Sequence, residues 1–165
     1  MNVPAHVVKA VNEALRLLPA AMDSKEARVL IYAIGLQESR FVHRVQIVNG
    51  GGKGPARSFW QCERSGGVRG VLRHPASKYW MASVCNARNV PAQEMPVWLA
   101  LETDDVLAAA TARLLLFTDP RKLPAIGDQA GAWQYYLRNW RPGKPHPRTW
   151  PECYATALDA AGVTA

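Results

Sequence analysis

Every residue from 29 to 36, Val-Leu-Ile-Tyr-Ala-Ile-Gly-Leu, is apolar, aromatic or glycine. On a helix such a run has no wet face, so the helix must pass through the middle of its domain and the rest of the chain must cover it. Asp23 and Glu26 have the D-x-x-E form of a capping box, which predicts that this helix starts there and runs to about Ser39. A second such helix is expected after Thr103, read as its N-cap, with Asp104 and Asp105 in the first turn and an end near Phe117. Its apolar part, 106–117, falls short of the roughly 20 residues of a membrane span and contains Thr111 and Arg113, so no transmembrane segment is expected. With 48% hydrophobic and 20% charged residues in a chain of 165, the two helices imply one mainly α domain over 1–165.

The remaining elements fall around that pair. Residues 5–18 place Val7, Val8, Val11, Leu15 and Leu18 on one helical face, with Lys9, Asn12, Glu13 and Arg16 between them. This is an amphipathic helix and not a signal peptide, so synthesis in a bacterial cytoplasm is expected, with any later delivery by another route. At 42–60 the alternation of Val45 and Ile47, followed by Asn49, Gly50, Gly51, Gly52, Gly54 and Pro55, predicts at most a small β excursion or a mobile loop. Helical pieces follow at 68–73, 75–89, 91–101 and 128–140, and at 149–161, closed by Gly162. Three prolines keep 141–148 irregular. Cys62, Cys85 and Cys153 fit no metal spacing and read as small buried residues. His6, His43, His74 and His146 are scattered, so neither a metal nor another cofactor is expected.

Ala27, Leu30, Ile31, Ile34 and Glu38 share one stripe of the buried helix, so a carboxylate ends an apolar row. Partial burial, apolar neighbours and the negative end of the helix dipole all oppose its ionisation. A carboxylic acid that keeps its proton in a cleft suits glycosidic cleavage, because the departing sugar oxygen must be protonated.

Ile34-Gly35-Leu36-Gln37-Glu38-Ser39-Arg40-Phe41 resembles the Glu-Ser-x-Phe signature of the lytic transglycosylase and goose-type lysozyme superfamily, in which that Glu is the catalytic acid. The segment 54–61, Gly-Pro-Ala-Arg-Ser-Phe-Trp-Gln, is similar to the family's second motif aligned on Gln61, with Ser58 and Trp60 as departures. Tyr154 resembles the family's late active-site Tyr, and Ala132-Trp133-Gln134 its Ala-Tyr-Asn motif. The resemblance implies a lysozyme-like α+β fold and cleavage of the MurNAc-GlcNAc β-1,4 bond of peptidoglycan glycan strands. Glu38 would act as both acid and base, giving an anhydro product first and hydrolysis second. It also implies substrate contacts from Ser39, Gln61, Trp133, Gln134 and Tyr154. Glu63 is the preferred second carboxylate if the reaction is hydrolysis.

Phage-encoded members resemble the chain most, which implies action at the cell wall as an endolysin or within a virion. Trp60, Trp133 and Trp140 are candidates for a sugar-binding floor, and Arg40, Arg44, Lys53, Arg57 and Arg64 for anionic stem peptides. Two alternatives stay open. A virion structural protein could keep such a fold without activity, with other virion proteins as partners. The net charge of +7 and the segment 138–144, Arg-Asn-Trp-Arg-Pro-Gly-Lys, would also suit a nucleic-acid-binding module, although no specific nucleic acid is expected.

Overall fold

The computed structural model describes residues 1–163, and it is mainly helical with a small antiparallel sheet. Helix α2 (Lys25–Ser39) carries nine buried residues, among them all of 29–36, and α6 (Asp105–Phe117) carries eleven. Helix α1 (Ala5–Arg16) covers α6, and α8 (Trp150–Ala160) covers α2. Between them come α3 (Arg69–Arg73), α4 (Lys78–Ala87), α5 (Glu94–Ala100) and α7 (Gln129–Trp140). Buried residues from Val7 to Leu158 join in one apolar cluster, in which the outer helices cover the buried middle of α2 and of α6, whose exposed side chains are confined to their ends.

Both polar residues of α6 that interrupt its apolar surface bond to backbone carbonyls, although the buried Arg113 Nη1 has no partner among the described residues. The Thr111 hydroxyl donates to the Leu107 carbonyl at 2.8 Å, and the buried Arg113 donates through Nε to the Met22 carbonyl at 2.7 Å. Among the described residues no helix is long and apolar enough to cross a membrane.

The helix starts differ from the predicted ones by one residue. Ser24, not Asp23, caps α2, its hydroxyl accepting from Ala27 N at 3.1 Å. Asp23 is instead engaged by both arms of the Arg28 guanidinium, at 2.6 and 2.9 Å. Asp104, not Thr103, caps α6, accepting from Leu107 N at 2.9 Å while also receiving Arg88 at 2.9 Å. In each case two adjacent residues can cap, and an arginine, Arg28 within α2 or Arg88 from outside α6, meets the aspartate of the pair.

The β excursion is an ordered sheet in the order β1 (Val45–Ile47), β2 (Lys53–Arg57), β3 (Cys62–Glu63), and so reaches three residues beyond the predicted end. Val45 faces Arg57 and Ile47 faces Lys53, with a bulge between them on β2, where Pro55 has no N–H to give. The Gln46 side chain lies over Gly54 in that bulge, and its Oε1 accepts from Ala56 N at 3.4 Å. Arg44 on Asp105 at 2.8 Å and Lys53 on Glu102 at 2.6 Å fasten the sheet to the start of α6.

Candidate active site

The C-terminus of α2 is where the buried helix reaches a surface. The Ser39 hydroxyl donates back to the Gly35 carbonyl at 3.2 Å and accepts from Phe41 N at 3.1 Å. Arg40 and Phe41 both take left-handed backbone, φ 52° and 56°, which turns the chain sharply and sends the Phe41 ring back against α2. Gly35 makes that return possible, because a Cβ there would overlap the Phe41 ring and lie 3.1 Å from Trp60 Nε1. Trp60 is fully buried and donates its indole N–H to the Ile31 carbonyl at 2.8 Å, docking the 58–61 turn on α2. The Trp60 carbonyl in turn accepts from Trp140 Nε1 at 2.8 Å, which ties α7 to the same point.

Ser58 and Gln61 flank Trp60 in left-handed backbone as well, φ 68° and 50°. Non-glycine residues hold that conformation at a cost of about 1 kcal/mol or more each, so four of them around one helix end mark a locally over-determined geometry.

Glu38 stands at this helix end in a groove of about 1450 Å³. The Tyr136 hydroxyl donates to its Oε1 at 2.7 Å. Tyr136 is fixed in turn: its ring stacks on Trp150 at 5.4 Å with 10° between planes, and Trp133 packs beside it at 5.3 Å. Burial holds the Glu38 carboxyl well above the ordinary 4.5, at about 7, while the Tyr136 hydrogen bond favours the anion and limits the rise. Burial, with the charge of Glu38 beside it, pushes the Tyr136 hydroxyl up too, so it remains a donor. Burial also pushes the Cys62 thiol up to about 12, with a smaller contribution from Glu38.

Ser39, Gln61 and Glu63 line the groove with Glu38. The Gln61 amide donates to the Ser58 carbonyl at 2.8 Å, and Glu63 is exposed on β3. Trp133, Gln134 and Tyr154 are not brought to the groove. Trp133 supports Tyr136 and Trp150 from behind, and Gln134 faces solvent. The Tyr154 hydroxyl accepts from Gly127 N at 3.1 Å.

The residue that touches Glu38 is therefore Tyr136, which the sequence reading passed over. Its signal was present: Trp133, Tyr136 and Trp140 recur at helical spacing and share one face of α7. Gln37 was also missed. Its Nε2 donates to the His146 carbonyl at 3.0 Å and its Oε1 accepts from the Thr149 hydroxyl at 3.0 Å, which lashes the α2 end to the α7–α8 connection.

Of the three tryptophans considered for a sugar floor, Trp60 is core and Trp133 lies behind the site, whereas Trp140 lines the groove. The basic set is redistributed. Arg44 and Lys53 are fastening the sheet, and Arg57 is buried over the Trp98 ring at 4.2 Å. The cations lining the groove are instead Arg69, Arg73, Arg138, Arg141 and Lys144. Among the described residues no group of three His, Cys, Asp or Glu is placed to hold a metal ion.

No protein-family model matches this chain, and no curated protein or solved structure matches it either. What the site offers chemically is a partly buried carboxylic acid, oriented through one oxygen by a fixed tyrosine, in a groove of about 1450 Å³.

Proposed function

We propose that the groove cleaves the β-1,4 bond between MurNAc and GlcNAc in peptidoglycan, with Glu38 as general acid and then general base. The observation that carries this reading is the Glu38 carboxyl in the groove, held at about 7 by burial with Tyr136 on its Oε1. Because Oε1 is occupied by the tyrosine donor, Oε2 is the oxygen free to hold the acidic hydrogen. In the first step that proton passes to the departing GlcNAc O4 as the C1–O4 bond breaks. In the second, the carboxylate formed takes the proton of the MurNAc C6 hydroxyl as that oxygen bonds to C1, closing a 1,6-anhydro ring and regenerating the acid. One group doing both jobs works best with a pKa near the working pH, where neither form is scarce.

Hydrolysis is the second outcome. Here water replaces the C6 hydroxyl, and Glu63, the other carboxylate lining the groove, is the group available to activate it. Digesting purified peptidoglycan with the protein and with Glu38→Gln, then weighing the fragments, tests the proposal. Anhydro-muropeptides from the Glu38 protein alone are the expected result, and reducing-end products would assign hydrolysis. Equal digestion by both proteins would remove Glu38 from the mechanism, and digestion by neither would refute cleavage and leave the virion structural role.

A further inference from the structure

The cations along the groove are not equally occupied. Arg69 and Arg73 share the single carboxylate of Glu94, at 3.0 and 2.7 Å, and Arg138 is held by Asp119 at 2.8 Å. Arg141 and Lys144 are exposed, line the same groove as Glu38, and pair with no carboxylate among the described residues. Arg141 is also held in left-handed backbone, φ 50°, at the C-cap of α7, a position where glycine would be unstrained. There its Nε reaches only the Arg138 carbonyl, at 3.4 Å. Pro142 follows, so the rim between the two free cations is stiffened.

In a peptide-bearing strand the lactyl carboxyl of each MurNAc is tied up in an amide, so the sugar backbone gives a guanidinium no charge to bind, whereas the peptides branching from it carry carboxylates. The negative charge of such a polymer sits at its branches, away from the reacting sugar. A phosphodiester chain is anionic along its whole length, and in this groove it would have to pass both Glu38 and the exposed Glu63, which pairs with no cation among the described residues.

We propose that the groove selects peptide-bearing over bare glycan, with Arg141 and Lys144 receiving peptide carboxylates while the sugar rests at Glu38. This inference rests on the peptidoglycan reading of the site.

The test separates the two. Binding is measured with the Glu38→Gln protein and glycan fragments of matched length, either peptide-bearing or stripped of peptide by an amidase with the lactyl carboxylates so exposed then converted to amides. The expected preference for peptide-bearing fragments is about tenfold, the order that two exposed charge contacts supply. It should shrink towards unity when Arg141→Gly and Lys144→Gln are added. Arg141→Gly suits the local φ, so the fold is retained, and an unchanged melting temperature verifies this.

Equal affinity for the two fragments, or a preference untouched by the double substitution, would overturn the inference. So would a single-stranded DNA oligonucleotide that binds more tightly and displaces the fragments, which would assign the cations to nucleic acid. Turnover is read separately with Glu38 in place. A protein that cleaves neither fragment but keeps the preference refutes catalysis alone, and one that cleaves both without any binding preference refutes peptide selection alone.

Discussion

Replacing Glu38 with Gln should stabilise the fold, and by an amount that depends on pH in one direction. The folded carboxyl titrates at about 7 against an ordinary 4.5. Between those two values the folded protein keeps a proton that the unfolded chain has released, so stability falls as pH rises through this window and levels off above it. At about 1.4 kcal/mol for each pH unit, the full penalty is roughly 3 kcal/mol. Glutamine has nearly the shape of the protonated acid, can still accept from the Tyr136 hydroxyl, and does not titrate.

Urea unfolding of both proteins at about pH 4, 6 and 8 reads the difference directly, because every other titrating group is common to the pair. The two curves should nearly coincide at the lowest pH and separate progressively, with the Gln protein more stable by roughly 3 kcal/mol at the highest. A constant gap across the range, or a Glu38 protein that is the more stable at pH 8, would show that the carboxyl is not held in a dry site, and the acid proposed for catalysis would lose its basis.

Three further outcomes follow from neighbouring contacts. Tyr136→Phe removes the one hydrogen bond that favours the Glu38 anion, worth about 1.5–3 kcal/mol for a charged acceptor, so the alkaline limb of the pH–rate profile should move up by roughly one to two pH units while turnover falls. Gly35→Ala forces a methyl group into the Phe41 ring and should cost about 1–3 kcal/mol in a thermal melt, with loss of activity because the α2 end must shift. Ser24→Ala should cost about 1 kcal/mol by denaturant titration, whereas Asp23→Ala, which breaks only a surface ion pair, should cost less.

What the sequence made legible is what depends on local spacing. The unbroken apolar run at 29–36 is enough to bury α2, and the row from Ala27 to Glu38 places the carboxylate at its end without any knowledge of the partners. The caps slipped by one residue because Asp23 and Ser24, like Thr103 and Asp104, are both able to cap. Arg28, one turn into α2, engages Asp23 and leaves Ser24 as the cap, whereas Arg88 meets Asp104 from outside its helix without displacing it as the cap.

The small sheet was visible in the alternation of Val45 and Ile47, but its bulge depends on Gln46 reaching Ala56. That Tyr136, and not Tyr154, stands against Glu38 rests on long-range packing in the same way. Both α7 and α8 offer a buried tyrosine, and only the packing of the two helices decides that Tyr136 turns to the groove while Tyr154 turns to Gly127. Three of the five basic residues nearest the motifs in the chain were similarly displaced in role. Opposite charges on Glu102 and Asp105, far along the sequence, draw Arg44, Lys53 and Arg57 to the junction of sheet and helix.

The stack of Trp150 on Tyr136 has a consequence for how the protein is made. Glu38 leaves the ribosome more than a hundred residues before Trp150, and until α8 docks, neither Tyr136 nor the α2 end has its cover. In that interval Glu38 is an ordinary solvated carboxylate, ionised at neutral pH and with no proton to donate. On the proposed reading a nascent or clipped chain would be silent towards glycan, its acidity arriving only with the closing helix.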